Sequence, residues 1–283
     1  MTYFMSILMG IIQGVAEFLP ISSSGHLALF QTFFGMENME EKYMFFTVLL
    51  HFGTLISVCM VYWRDIVDMI REFFLGIAAL AGRKDTGVAP PPARRMVMLI
   101  IIATVPLFVM VFLQDAVNQL FSNSIMVSCA LLATGFILFF SDRMARGHKT
   151  ARNATVADAL IVGCGQALAV IPGLSRSGTT ISVGIMRGFD PACAVRFSFL
   201  MSLPAVLGAN VLEIKDALAS NFPIEELPMY LVGVAVSAVV GYFAIRLVKS
   251  LSDKGKFGKF AYYCWAVGLG SLVAGVVKMI LLK

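Results

Sequence analysis

The chain has 283 residues, of which 59% are hydrophobic and only 14% are charged, and its mean hydropathy is +0.85. A soluble domain is about half apolar and about a quarter charged, so this balance excludes an ordinary soluble protein and indicates an integral membrane protein. The net charge of +5 does not call for a nucleic-acid partner, because the placement of the basic residues along the chain explains it better.

The first predicted element is an apolar stretch at 3–19, which runs into the polar cluster "PISSSGH" and then into a short helix at about 27–34. It is shorter than the roughly 20 residues that cross a bilayer. The same plan recurs at 156–171, followed by "PGLSRSGTT" and a short helix at about 180–187, with Asp158 expected to be a helix-start residue. Both segments are predicted to be re-entrant hairpins.

Six other stretches are long and apolar enough to span the membrane. They lie at about 43–63, 96–113, 125–140, 192–212, 229–248 and 260–282. An amphipathic stretch at 66–81, between the first two spans, is predicted to lie along the membrane surface. We therefore predict an all-α polytopic membrane protein with six spanning helices and two re-entrant helical hairpins, forming one domain over 1–283.

Most of the 22 lysines and arginines fall in three loops, which follow the first, third and fifth spans. These loops share one side of the membrane if the spans alternate in direction. The loops on the other side, at 37–42, 114–124 and 213–228, contain only Lys42 and Lys215. The positive-inside rule then places the basic loops in the cytoplasm.

A shift of 153 residues superimposes "GIIQGVAEFLPISSSGH" at 10–26 on "GCGQALAVIPGLSRSGT" at 163–179 without a gap. Each half then contains one hairpin followed by three spans, so an internal repeat of 1–141 and 154–283 is predicted. An odd number of spans inverts the second copy. Inverted repeats with broken helices place a binding site near the bilayer midplane, so the two hairpins are expected to meet there tip to tip.

Charge and irregular backbone at membrane depth are tolerated where they line a polar cavity or are buried in protein. The two tips combine helix N-termini, glycines, many hydroxyls and Arg176, which suit a phosphate or diphosphate group. The predicted diphosphate-binding residues are Gln13, Ser22, Ser24, Gly25, Ser175, Ser177, Gly178 and Thr180. Glu17, Ser23, His26 and Arg176 complete a phosphoryl-transfer site, which has a base, a charge clamp, and either a serine nucleophile or an attacking water.

The motif pair "QGVAEFLPISSSGH" and "PGLSRSGTT" resembles the two signature motifs of the undecaprenyl-pyrophosphate phosphatases, the bacitracin-resistance (BacA-type) family. The resemblance covers the whole chain. It implies removal of one phosphate from a C55 isoprenoid diphosphate, which recycles the lipid carrier of cell-wall synthesis and confers bacitracin resistance. The implied location is the bacterial inner membrane, with the site open to the extracytoplasmic side.

Within that resemblance, Gln13 and Glu17 match an (E/Q)xxxE motif whose first position can be a second glutamate, and Gln13 cannot ionise. The family implies a divalent cation, Mg or Ca, which the diphosphate itself would largely hold, with Glu17 as the protein ligand. No organic cofactor is expected. The partners are the isoprenoid diphosphate and membrane lipids, and a homodimer stays open. The alternative function is a lipid flippase or secondary transporter for a phosphorylated substrate, since inverted repeats are typical of transporters.

Overall fold

The computed structural model describes residues 1–34, 39–80, 90–121, 123–144, 147–219 and 224–281. Helices account for nearly all of these residues. In chain order they are α1 (Tyr3–Phe18), α2 (Ser23–Phe34), α3 (Met39–Val61), α4 (Trp63–Leu80), α5 (Pro92–Thr104), α6 (Leu107–Val111), α7 (Gln114–Phe121), α8 (Ser124–Arg143), α9 (Val156–Leu168), α10 (Arg176–Met186), α11 (Pro191–Ala219), α12 (Leu227–Asp253) and α13 (Phe260–Leu281).

Five of the six spans predicted from the sequence are present as segments that pass the test of length and hydropathy. Within the described ranges, five segments are long and apolar enough to cross a membrane: Pro92–Val111, Ser124–Arg143, Pro191–Gly208, Leu227–Asp253 and Phe257–Leu281. A sixth is counted when Phe45–Val61 and Trp63–Ala79 are taken together. This confirms the all-α polytopic membrane fold.

Helix α4 covers the stretch predicted to lie along the membrane surface. It is bent by 87° from α3, so it runs across the direction of that span and not along it. Its large apolar side chains, among them Val67, Ile70 and Phe74, are exposed, while Glu72 accepts a hydrogen bond from Arg94 Nε of α5 at 3.1 Å. This tie fixes α4 to the next span.

The two hairpin helices pack through glycines against a spanning helix from the other half of the chain. A Cβ on Gly10 of α1 would lie 2.6 Å from the carbonyl oxygen of Gly233 in α12. A Cβ on Gly163 of α9 would likewise meet the carbonyl oxygen of Ala103 in α5. Glycine allows this close backbone approach in both halves. Helices α3 and α11 pack against each other, as do α8 and α13.

The start of α9 is held by a buried carboxylate, as its position in the sequence predicted. Asp158 forms a capping box with Thr155 and accepts hydrogen bonds from Lys149 Nζ at 3.0 Å and Arg187 Nε at 2.9 Å. Burial alone would raise the pKa of Asp158, but the hydrogen bonds from Thr155, Lys149 and Arg187 outweigh it and hold that pKa well below its usual value. The second hairpin is thereby anchored at its base.

Candidate active site

The helices that follow the two tips begin about one turn earlier than predicted. Helix α2 starts at Ser23 instead of 27, and α10 starts at Arg176 instead of 180. The reason is capping, because the Ser22 and Ser175 hydroxyl oxygens each accept a hydrogen bond at 3.1 Å, from the N–H of Gly25 and Gly178 respectively. Such a cap satisfies one of the free donors in the first turn. Ser23 and Arg176 are therefore first-turn residues with fixed backbones.

The two tips contact each other through small residues. A Cβ on Gly25 would lie 2.9 Å from Cα of Gly173, and one on Gly178 would lie 3.1 Å from Cβ of Pro20. The Ser177 hydroxyl also donates to the carbonyl oxygen of Leu19 at 3.3 Å. The first turns of α2 and α10 thus lie side by side, which brings Ser23 and Arg176 to the same place.

Glu17 lies at the centre of the cluster that contains Ser23 and Arg176, and its side chain is nearly buried. Its Oε2 accepts from Ser23 Oγ at 2.9 Å and from Gln13 Nε2 at 3.1 Å. Its Oε1 accepts from Arg176 Nη2. Three predicted site residues from α1, α2 and α10 therefore meet on one carboxylate, and the guanidinium neutralises its charge.

His51 of α3 joins this group and was not predicted to be a site residue. Its Nδ1 lies 3.0 Å from Gln13 Nε2 and 3.7 Å from Glu17 Oε2. Because an amide nitrogen is a donor only, Nδ1 is the acceptor when His51 is neutral, and the ring proton is then on Nε2. The opposite amide orientation would place the Gln13 oxygen against the Glu17 carboxylate, so the hydrogen-bond network favours this assignment.

The group opens into a cavity of about 260 Å³ between the two halves of the chain. Glu17, Ser23, Arg176 and His51 form one part of its wall. The remainder is lined by Ala16, Ser22, Ser24, Leu107, Gln166, Ala169, Val170, Leu174, Ser175, Ala205, Val206 and Asn210. A wall that combines apolar side chains with a few polar groups is typical of a small-molecule site.

His26 has a different environment from that of Glu17. Its Nδ1 lies 2.8 Å from the carbonyl oxygen of Ser22, and its Nε2 lies 2.8 Å from the hydroxyl of Tyr263, whose ring stacks on it. Among the described residues that line the cavity, His26 is absent. Ser22 has φ of +70°, which is unusual for a residue other than glycine, and the bond from His26 ties down this turn.

Several predicted binding residues make contacts within the fold. The Thr180 hydroxyl donates to the carbonyl oxygen of Arg176 at 2.8 Å and contacts the Ser198 hydroxyl at 2.6 Å. Gly25, Ser177 and Gly178 lie at the contact between the tips, as described above. Ser22, Ser24 and Ser175 do line the cavity, although the oxygens of Ser22 and Ser175 also cap helices.

The role of His51 was not predicted from the sequence. It lies within an apolar span, and its apolar neighbours in the sequence suggested packing or a hydrogen bond to a neighbouring helix. Its distance from Glu17 depends on how α3 packs beside α1, which no local motif specifies. The available signal was its rarity, because an ionisable residue inside a span is itself a reason to expect a polar site.

The implied divalent cation can be tested against the donors present. In the described part of the chain, no group of three or more His, Cys, Asp or Glu side chains could hold a metal ion. Glu17 is one anionic ligand, and the buried Oε1 of Gln13 beside it has no hydrogen-bond partner. One carboxylate and an amide oxygen fit a hard cation such as Mg²⁺ whose other ligands come from a diphosphate.

Comparison with known proteins places this site in a family. The family model described as "Bacitracin resistance protein BacA" matches residues 6–270. An undecaprenyl-diphosphatase from Alkaliphilus metalliredigens is 42% identical, with 95% of this chain and 97% of that protein aligned. One from Halothermothrix orenii is 39% identical over 98% of this chain and 100% of its own. One from Methanosphaera stadtmanae is 37% identical over 96% and 98%.

The match covers most of α1 and extends to residue 270 within α13, so it includes Glu17, Ser23, His51 and Arg176. It agrees with the resemblance carried by the two tip motifs. The chain therefore belongs to the bacitracin resistance protein BacA family.

Proposed function

We propose that this protein hydrolyses undecaprenyl diphosphate to the monophosphate and inorganic phosphate, and thereby recycles the lipid carrier of cell-wall synthesis and confers bacitracin resistance. The observation that carries the proposal is the hydrogen bond from Ser23 Oγ to Glu17 Oε2 at 2.9 Å, with Arg176 on the other carboxylate oxygen. A nucleophile that is hydrogen-bonded to its base, beside a fixed guanidinium, is the arrangement that phosphoryl transfer needs.

In the first step, Ser23 Oγ attacks the terminal phosphorus while its proton passes to Glu17 Oε2. The new Oγ–P bond replaces the bond between that phosphorus and the bridging oxygen, and undecaprenyl monophosphate leaves. Glu17 gives this proton to the departing monophosphate and is a carboxylate again. In the second step, water attacks the phosphoserine, and Glu17 takes a proton from that water and delivers it to Ser23 Oγ as the Oγ–P bond breaks. Inorganic phosphate is released and Ser23 regains its hydroxyl. The cation, when bound, would neutralise part of the diphosphate charge.

Gln13 and His51 position the base in this proposal. The Gln13 amide donates to Glu17 Oε2 and to His51 Nδ1, so the carboxylate is held by a residue that cannot itself take the proton. His51 lies within 3.7 Å of the same oxygen and can carry a proton away from it. His26 as a catalytic residue stays a prediction, and its bond to Ser22 supports a role in holding the first tip.

The active site is proposed to open toward the extracytoplasmic face of the inner membrane. Two lining residues, Leu107 and Asn210, lie near the ends of the predicted spans that lead into the segments 114–124 and 213–228, which are poor in lysine and arginine. The positive-inside rule places those loops outside. The inverted repeat is likewise a proposal, which the matching glycine contacts of α1 with α12 and of α9 with α5 support.

Phosphate release by the purified protein in detergent tests the function. We expect release of one phosphate from undecaprenyl diphosphate with Mg²⁺, and none by Glu17→Gln, because Gln cannot accept a proton. Rapid quenching with labelled diphosphate should trap label on Ser23 in the wild type and none in Ser23→Ala. Lipid movement across vesicles without phosphate release would support a flippase instead. If the quenched wild-type protein carries no label although turnover is normal, the attacking group is water.

A further inference from the structure

Two amide side chains in the cavity wall have unused hydrogen-bonding groups. Gln166 of α9 is 2% exposed, and neither its Nε2 nor its Oε1 has a hydrogen-bond partner. Asn210 of α11 is 4% exposed, and its Nδ2 also has none. Both line the same cavity as Glu17 and Arg176. A buried donor left unpaired costs free energy, so such groups need an explanation.

The sequence relation between the two halves explains why Gln166 is unused. Gln166 lies 153 residues after Gln13, and Val170 lies 153 residues after Glu17. In the first half the Gln13 amide donates to Glu17 at 3.1 Å. In the second half the matching neighbour is an isopropyl group, which accepts no hydrogen bond. The Gln166 amide therefore faces the cavity without the carboxylate that holds its counterpart.

The groups that share the cavity wall with these donors indicate which kind of ligand accepts their hydrogen bonds. Ser23 and Arg176, which match under the same shift, both bond to Glu17, so the cationic guanidinium and the carboxylate neutralise each other. Amide N–H groups beside an arginine suit an anion with several oxygens. A diphosphate offers more acceptors than Arg176 and Ser23 together can satisfy.

We propose that Gln166 Nε2 and Asn210 Nδ2 donate hydrogen bonds to oxygens of the bound diphosphate. The first half of the chain then supplies the nucleophile and base, and the second half supplies the amide donors that bind the phosphates. The identity of the ligand as the lipid diphosphate rests on the proposed function. The subsite needs only a diphosphate group, so it is tested with a compound that cannot be hydrolysed.

The experiment measures the Kd of methylenediphosphonate for purified protein, together with the melting temperature without ligand. The variants are Gln166→Met and Asn210→Leu, which keep side-chain size and remove the donors. A hydrogen bond to a charged group supports an expected rise in Kd of roughly tenfold or more for each variant. Without ligand, the melting temperature should stay constant or rise, because an unpaired buried amide has been removed.

Thr179→Val is the matched control. Thr179 is also 4% exposed, and its Oγ1 is also buried without a partner, but it does not line the cavity. This variant should keep the wild-type Kd. Should Gln166→Met fail to fold, Gln166→Asn keeps the amide but withdraws it by one methylene, and it should weaken binding in the same way.

Unchanged Kd in both donor variants would overturn the proposal, and so would a lower melting temperature without ligand at unchanged Kd, which would mean that the amides support the fold. A wild type that binds methylenediphosphonate through Gln166 but releases no phosphate from undecaprenyl diphosphate would refute the proposed function and leave the subsite standing. Normal hydrolysis with wild-type Kd and KM in both variants would support the proposed function and refute the subsite.

Discussion

At the scale of single residues, the site depends on the Glu17 carboxylate, which two of the proposed catalytic groups contact. Glu17 accepts from the hydroxyl that would attack and from the guanidinium that would hold the phosphates. The ion pair therefore offsets the cost of taking Arg176 partly and Glu17 almost wholly out of water, since their side chains are 26% and 4% exposed. A second role, in phosphate binding, is proposed for the same guanidinium. A buried charge that loses its partner is strongly destabilising, so the two roles can be separated by substitution.

Arg176→Lys should keep most of the stability and lose most of the activity. The ammonium still neutralises Glu17, but a point charge cannot contact two phosphate oxygens as the planar guanidinium does. We expect kcat/KM to fall by roughly 10²–10³ with little change in melting temperature. Arg176→Ala should also destabilise the protein by about 3–5 kcal/mol, and combining it with Glu17→Ala should restore stability without activity.

Turnover and melting temperature of these variants decide the point. An active Arg176→Lys protein with wild-type diphosphate affinity would show that Arg176 acts only as the structural partner of Glu17.

The two histidines should respond differently to substitution. His51 contacts both Gln13 and Glu17, so His51→Ala should lower kcat by roughly 10²-fold or more, within the range for general acid–base groups. Tyr263→Phe removes the hydroxyl bonded to His26 but keeps the ring stack, so its effect should be several times smaller. A larger loss in Tyr263→Phe than in His51→Ala would return the proton-carrying role to His26.

At the scale of elements, a serine hydroxyl caps each tip helix through a hydrogen bond of 3.1 Å. The two backbones differ, because φ is +70° at Ser22 and −72° at Ser175. The sequence predicted two polar tips, but it placed the helix starts one turn too late, since serine and glycine clusters are usually assigned to loops. The pairing of Ser22 with Gly25 and of Ser175 with Gly178 fits an N-cap, which could have corrected the boundaries. The positive φ of Ser22 had no such signal in the sequence.

Gly173→Ala tests the packing of the second tip. Gly173 has φ of +94°, and a Cβ there would meet the carbonyl oxygen of Val127 in α8. The strain and the overlap together should lower the free energy of unfolding by about 1–3 kcal/mol and reduce turnover. Gly208→Ala is the control, because nothing lies within 4 Å of a Cβ at that position of α11. Equal melting temperatures for the two variants would contradict the described tip.

At the scale of the whole molecule, hydropathy was enough to predict the spans. All six predicted segments correspond to helices in the described ranges, because a membrane requires long apolar stretches with internally satisfied backbones. The arrangement of those spans was less accessible. The contact of α3 with α11 joins the two halves, and the placement of His51 beside Glu17 depends on how α3 packs beside α1. Periodicity within one helix reveals neither.

Cysteine labelling tests the orientation. In a background in which the five native cysteines are replaced, Gln119→Cys should react with an impermeant reagent added from outside. Lys254→Cys, also exposed, should react only after permeabilisation, because it lies in a basic loop. Labelling of both residues from outside would contradict the positive-inside assignment and the inverted repeat.

Val170 stands where the proposed repeat would place the counterpart of Glu17, so the two sides of the cavity differ chemically. A diphosphate turned end for end would still meet the donors of both halves, but its other phosphorus would face Ser23 and the lipid-linked oxygen would face the wrong wall. Such a pose occupies the enzyme without turnover. Free inorganic diphosphate offers the same oxygens, so it should compete with the lipid substrate for the cavity. Reversed binding of the lipid itself should lower kcat and KM by the same factor and leave kcat/KM unchanged.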